Sequence, residues 1–179
     1  MGKVLILYST VDGHTREICL RLKRIIEQHE HQATLASLDD STDMELGHFD
    51  RIVIGASIRY GKHRPLVADF INRNAKILEE KRGAFFSVNV VARKPKKNQP
   101  HTNPYLRRFL KKLTWKPRQL AVFAGKIDYP SYDCFDRMII RMIMFITKGP
   151  TDPKAIVEFT DWRQVESFGR LIAEKTDIA

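Results

Sequence analysis

The stretch Val4-Leu5-Ile6-Leu7-Tyr8-Ser9-Thr10-Val11-Asp12-Gly13-His14-Thr15-Arg16-Glu17-Ile18 decides the fold. Five apolar or aromatic residues in succession give the pattern of a strand buried on both faces, as in parallel sheets. Hydroxyl residues and one glycine follow directly. An amphipathic helix then begins, with Ile18, Leu22, Ile25 and Ile26 on one side and Arg16, Glu17, Arg21, Lys23, Arg24 and Glu27 largely on the other. A strand that passes through a small polar loop into a helix N-terminus makes an anion site, because free backbone N–H groups and the helix dipole converge there. The loop lacks G-x-x-x-x-G-K-(S/T) and G-x-G-x-x-G. Neither a lysine on β/γ-phosphates nor a dinucleotide pyrophosphate is therefore expected. Hydroxyls combined with amides suit a single terminal phosphate. An ordinary βα turn with capping Ser or Thr explains any one of these residues, but poorly the whole set after a first strand.

Outward from this loop the chain alternates strand and helix patterns. Strands are expected at 3–8, 32–37, 51–57, 84–90 and 120–125, and helices at 14–29, from about Pro65, at 103–113 and at 161–175. A short acidic segment runs from Asp39 to Glu45. Residues 128–152 interrupt the alternation, and Ile156 to Phe159 look like a strand continuation. Regular alternation implies an α/β fold, a parallel sheet wrapped by helices on both faces. Five strands fit the doubly wound order 2-1-3-4-5, with a ligand at the carboxyl ends of the strands near the switch point. One domain spanning 1–179, with a long insertion in its last strand, accounts for the chain.

The composition is globular, with 43% hydrophobic and 29% charged residues among 179. The two cysteines, Cys19 and Cys134, have no metal-type spacing, so no metal site or disulfide framework is expected. The N-terminus runs straight into a strand without a signal peptide, which points to an intracellular location. No stretch approaches the ~20 apolar residues needed to span a bilayer. The net charge of +10 suggests an anionic partner, or simply a lysine-rich solvated surface. Nucleic acid ranks last among such partners, because aromatics do not interleave with the basic runs.

Within the interruption, Arg137, Arg141 and Lys148 fall on one stripe of a helix, and Met138, Ile139, Met142, Ile143, Phe145 and Ile146 cover most of the remainder. Such a helix suits a bilayer surface, with cations toward anionic headgroups and Met142, Ile143 and Ile146 toward lipid. A core helix with a cationic edge, or a dimer interface, is the alternative.

Ser9-Thr10-Val11-Asp12-Gly13-His14-Thr15 resembles the phosphate loop of flavodoxin-like proteins: two hydroxyls, two variable residues, Gly, one variable residue, Thr. The resemblance implies FMN. Its ring would rest against Ser57, Ile58, Arg59, Tyr60 and Gly61 after the third strand and Ser87, Val88, Asn89 and Val90 at the fourth. Tyr60 is the candidate for stacking on the ring, or else a half-buried loop aromatic. Arg59 and Arg93 would lie at the pyrimidine edge or site mouth, or else are surface charge. A cation there makes the flavin a readier electron acceptor. Changing either to Glu should then lower the flavin potential, and changing Arg118 should not. His14 suits a phosphate neighbour better than a base, and His63 is the nearest titratable candidate for a proton acceptor.

A closer resemblance rests on Ile54 to Gly61, Ser87 to Pro95, Thr102-Asn103-Pro104-Tyr105, Phe159-Thr160-Asp161-Trp162 and the insertion from Tyr129-Pro130 to Gly149. Across essentially the whole chain these resemble the menaquinone-dependent, flavodoxin-type protoporphyrinogen oxidases of bacterial haem biosynthesis. The resemblance implies FMN-dependent oxidation of protoporphyrinogen IX to protoporphyrin IX. Electrons would go to menaquinone or ubiquinone from a peripheral protein on the cytoplasmic face of the membrane. It implies FMN contacts at Ser9 to Gly13 and from Ser87 through the insertion to about Thr151. No aromatic directly follows the fourth strand, so Tyr60 alone would leave one ring face open to a large flat substrate. Basic side chains near the ring suit the two propionates of that substrate. An FMN-dependent NAD(P)H:quinone reductase and a soluble flavodoxin-type electron carrier are the competing readings. The carrier should show an acidic face, which the basic charge opposes.

Overall fold

The computed structural model describes residues 1–40 and 44–174. The middle of the acidic segment expected at 39–45, and the last residue of the helix expected at 161–175, lie outside them. Strand β1 (Lys3–Ser9) has Val4, Leu5, Ile6 and Leu7 fully buried, because helices cover both faces of the sheet. It pairs in parallel with β2 (Gln32–Ser37) on one side and β3 (Arg51–Arg59) on the other. Strands β5 (Ala84–Val88) and β6 (Gln119–Phe123) extend the sheet to the order β2-β1-β3-β5-β6. With the two-residue β4 (Lys62–His63) set aside as a hairpin on β3, this is the expected doubly wound order. Helices α1 (His14–Gln28) and α6 (Trp162–Glu174) pack Ile18, Leu22, Ile26, Val165, Phe168 and Ile172 on one face. Helices α2 (Pro65–Arg73), α3 (Ala75–Glu80) and α4 (Pro104–Leu110) bury Val67, Phe70, Ile71, Leu78, Leu106 and Phe109 on the other. Cys19 is buried in α1 and Cys134 is exposed, both as free thiols.

Boundaries move where side chains intervene. Strand β5 stops at Val88 because Asn89 Oδ1 accepts the amide of Ala92 and starts a helical turn. Helix α4 stops at Leu110 because Leu113 and Trp115 turn back into the core. The third strand runs past Ser57 to Arg59, because Ile58 and Arg59 pair with His63 and Lys62. The expected continuation at Ile156 does not rejoin the main sheet. Strand β8 (Ile156–Glu158) pairs antiparallel with β7 (Lys126–Asp128) in a separate ribbon. The inserted segment, including helix α5 (Cys134–Ile146), grows from that ribbon and leaves β6 uninterrupted. It carries a small core of its own: Ile127, Tyr129, Tyr132 and Met144.

Candidate active site

The carboxyl ends of β1, β3 and β5 open into a cleft with about 1090 Å³ of empty space, the solvent at its mouth included, and α5 forms one wall. The β1–α1 loop forms its polar end. Gly13 adopts φ +83°, a left-handed conformation that favours glycine, and its amide donates to Thr10 Oγ1 at 3.0 Å. The amides of Arg16 and Glu17 donate to the Gly13 carbonyl, at 3.0 and 3.2 Å, and the start of α1 turns the positive end of its helix dipole toward the loop. Thr15 Oγ1 and Ser57 Oγ are buried without a hydrogen-bond partner among the described residues, and both residues line the cleft. A buried hydroxyl left unpaired costs ~1–3 kcal/mol. Two such groups on one cleft mark where a polar ligand would complete the structure.

His14 also lines the cleft, with Nδ1 3.0 Å from Glu17 and Nε2 2.6 Å from Thr160 Oγ1. The Thr160 hydroxyl donates to the carbonyl of Ala124, so the loop is tied to the end of β6. Both ring nitrogens are thus engaged within the protein, and His14 acts as a brace for the loop.

Of the residues singled out from the sequence, Thr10, Val11, Asp12, His14, Thr15, Ser57, Ile58, Arg59, Tyr60, Gly61, Val88, Asn89 and Val90 line the cleft. Ser9, Gly13, Ser87, Thr151, His63 and Arg93 are not among the lining residues. Gly13 acts through backbone geometry. Ser9 and Ser87 are buried beneath the cleft, and the Thr151 carbonyl accepts from Arg141. His63, the expected proton acceptor, is buried against Phe109 and the edge of Phe85, with Nε2 3.0 Å from Ser87 Oγ. Arg93 donates to the carbonyls of Val90 and Thr147, and lies over the Phe159 ring instead of facing the cleft. The Arg59 guanidinium donates to both oxygens of Asp12, at 2.9 and 2.7 Å, and to Asp136. Of the two arginines expected at the pyrimidine edge or the site mouth, Arg59 lines the cleft and Arg93 does not. One is met by two carboxylates, and the other braces the insertion.

Burial of His63 disfavours its charged form and lowers its pKa to about 3. Between the unfolded value near 6.5 and that value, the unfolded chain binds a proton that the native state does not. Stability should therefore fall as pH decreases through this window, by about 2 kcal/mol at pH 5 from this group. In urea titrations at pH 7 and pH 5, His63→Phe should flatten that part of the pH dependence. An unchanged slope would show that His63 is not the source.

The cleft has walls that sequence reasoning missed. Tyr105 of α4 and Tyr132 of the insertion line it alongside Tyr60, so Tyr60 is not the sole aromatic. Tyr105 stands within the resembling Thr102-Asn103-Pro104-Tyr105 segment, which was the available signal. Lys126 and Asp128 of β7 also line the cleft, 3.4 Å apart as an ion pair. Ile140, Ile143 and Met144 do so from α5. The helix presents its faces differently from the expectation of cations toward headgroups. Arg137 donates to the carbonyls of Tyr129 and Tyr132, and Arg141 to that of Thr151, so these cations anchor the helix within its own insertion. Ile143 turns inward, whereas Phe135, Met138, Met142, Phe145 and Ile146 are 64%, 62%, 57%, 78% and 71% exposed.

Strand order, the strand–loop–helix turn and a largely apolar cleft beside it define a flavodoxin-type fold, and the flavodoxin-domain family model matches residues 5–154. Such a domain implies a flavin cofactor. An archaeal flavodoxin structure aligns over 98% of this chain and 99% of its own, with a TM-score of 0.53 at 14% identity. A short-chain flavodoxin of a bacterial microcompartment aligns over 99% and 100%, at 0.54 and 11%. The *Escherichia coli* K12 protein named protoporphyrinogen IX dehydrogenase (quinone) is 44% identical over 175 residues, covering 98% of this chain and 97% of that one. A *Leishmania major* protein of the same name is 38% identical over 167 residues, covering 93% and 72%. The chain belongs to this quinone-type protoporphyrinogen IX dehydrogenase family within the flavodoxin-domain proteins.

Proposed function

We propose that this protein oxidises protoporphyrinogen IX to protoporphyrin IX with FMN held in the cleft, and passes the electrons to a membrane quinone, menaquinone or ubiquinone. The observation that carries the reading is near-full-length identity to relatives of that name, in a chain whose cleft offers unpaired hydroxyls beside an apolar slot. The donor set fits FMN. Thr10, Thr15, Ser57 and the amides of the β1–α1 loop are neutral donors for a terminal phosphate and ribityl hydroxyls. FMN supplies a two-electron acceptor, and three rounds convert the porphyrinogen to the aromatic ring. The chain supplies position and environment. Tyr60, Tyr105 and Tyr132 provide aromatic walls, and Ile127, Ile140, Ile143 and Met144 exclude water from the slot. Lys126 offers a cation for a propionate at the mouth.

The exposed apolar row on α5 is the surface that supports membrane contact, with Lys94, Lys96, Lys97 and Lys148 in flanking segments for anionic headgroups. Among the described residues no helix is long and apolar enough to cross a membrane. Such contact would be peripheral, at the cytoplasmic face. Anaerobic porphyrin fluorescence, followed from protoporphyrinogen IX with FMN-loaded protein, tests the reading. Turnover should continue when a menaquinone analogue is present and stop after one flavin equivalent without it. Flavin bleaching by NADPH alone, without porphyrin formation, would identify an NAD(P)H:quinone reductase instead.

A further inference from the structure

Two arginines of the flavodoxin core hold the insertion at opposite ends. Arg93 reaches Thr147 just after α5, and Arg59 reaches Asp136 in its first turn. The insertion otherwise packs on a satellite core of four buried residues, which meets the cluster on one face of the sheet through the half-buried Phe159. Arg59 differs from Arg93 in one respect. The same guanidinium also holds Asp12, inside the phosphate loop, through both carboxylate oxygens. It is 17% exposed and lies 5.5 and 5.3 Å from the ring centroids of Tyr60 and Tyr132. Tyr60 and Gly61 turn the β3–β4 hairpin with φ of 50° and 78°, which places Arg59 at the cleft beside them. One side chain thus bridges the phosphate loop, the hairpin and the inserted helix.

We propose that Arg59 is a positioning residue that couples the phosphate loop to the insertion through Asp12 and Asp136, so that FMN bound at the loop holds α5 closed over the cleft. The inference rests on the FMN reading above. The physical basis is linkage. A ligand that orders the loop fixes Asp12, fixed Asp12 aligns the guanidinium, and the aligned guanidinium favours the seated position of Asp136. The planar fork of arginine suits this bridge, because separate nitrogens serve the two carboxylates. The reciprocal effect must also hold: seating α5 tightens FMN. The helix wall would then be in place when cofactor is present and looser when it is not.

Limited trypsin cleavage at Arg137, Arg141 and Lys148 reads the opening of the insertion directly, independently of turnover. FMN uptake is scored first by visible absorbance. In the wild type, saturating FMN should slow cleavage of the insertion. Asp136→Asn and Asp12→Asn, each with FMN saturating, should cleave roughly tenfold faster than the wild type and lose the FMN dependence. Arg93→Gln should cleave faster with and without FMN, yet keep the ratio between them. The Asp12 variant is decisive, since it lies outside the insertion and a merely local role for Asp136 predicts wild-type protection there. Persistent FMN protection in Asp12→Asn, or an equal loss of protection in Arg93→Gln, would overturn the coupling. A wild type that takes up FMN without protecting the insertion would overturn the coupling alone. A wild type that takes up no FMN would overturn the cofactor reading and the coupling with it.

Discussion

Replacing Thr10 and Thr15 together with Val should weaken FMN binding by roughly two to four orders of magnitude, measured by quenching of FMN fluorescence. The β1–α1 loop has no lysine, so in the proposed reading hydroxyls and amides would carry the phosphate, and each charge-assisted hydrogen bond lost costs ~1.5–3 kcal/mol. The two residues act differently. Thr10 Oγ1 accepts the Gly13 amide and shapes the loop, whereas Thr15 Oγ1 is buried with no partner among the described residues. Thr15→Val alone should therefore stabilise the ligand-free protein, by ~1 kcal/mol, because it removes an unsatisfied buried group. The same substitution should weaken FMN by about tenfold or more. Opposite signs in melting temperature and affinity identify a hydroxyl kept for a ligand. A variant with unchanged affinity would mean that the loop does not hold the phosphate.

Substituting Ser at Met138, Met142, Phe145 and Ile146 should release the protein from anionic vesicles by a factor of a hundred or more while FMN stays bound. Burial of apolar surface at the lipid boundary contributes roughly 25 cal/mol per Å², so four large side chains supply several kcal/mol. All four lie on the outward face of α5, more than half exposed, whereas Ile140, Ile143 and Met144 face the cleft or the satellite core. Vesicle sedimentation measures the release. Electron delivery to a lipophilic quinone in vesicles should fall much further than delivery to a small water-soluble acceptor. Loss of flavin with equal damage to both acceptors would mean that the outward face supports the fold instead.

The first strand, the β1–α1 loop and the first helix were legible in the sequence because each depends on near neighbours. Val4 to Leu7 are buried by their place in a parallel sheet, Gly13 turns the loop, and the helix follows its own period. The strand order followed as well, since βα alternation with right-handed crossovers leaves few topologies. Charge partners were not legible. Arg59 and Arg93 stand in the segments expected to face the ring, yet Asp12 lies 47 residues and Asp136 77 residues from Arg59 in sequence. The same limit misplaced His63, which a two-residue strand closing the hairpin buries against Phe85 and Phe109. The helical period of the insertion separated a cationic stripe from an apolar one, but gave no sign of which faced inward. Tertiary structure decided that, because Arg137 and Arg141 satisfy the carbonyls of Tyr129, Tyr132 and Thr151 within the insertion. The sequence by itself thus determined the sheet and the turn from its first strand into its first helix, which local pattern specifies. Only the folded chain decided which charges are spent on one another and which face of α5 is left for a partner, since both depend on contacts between distant segments.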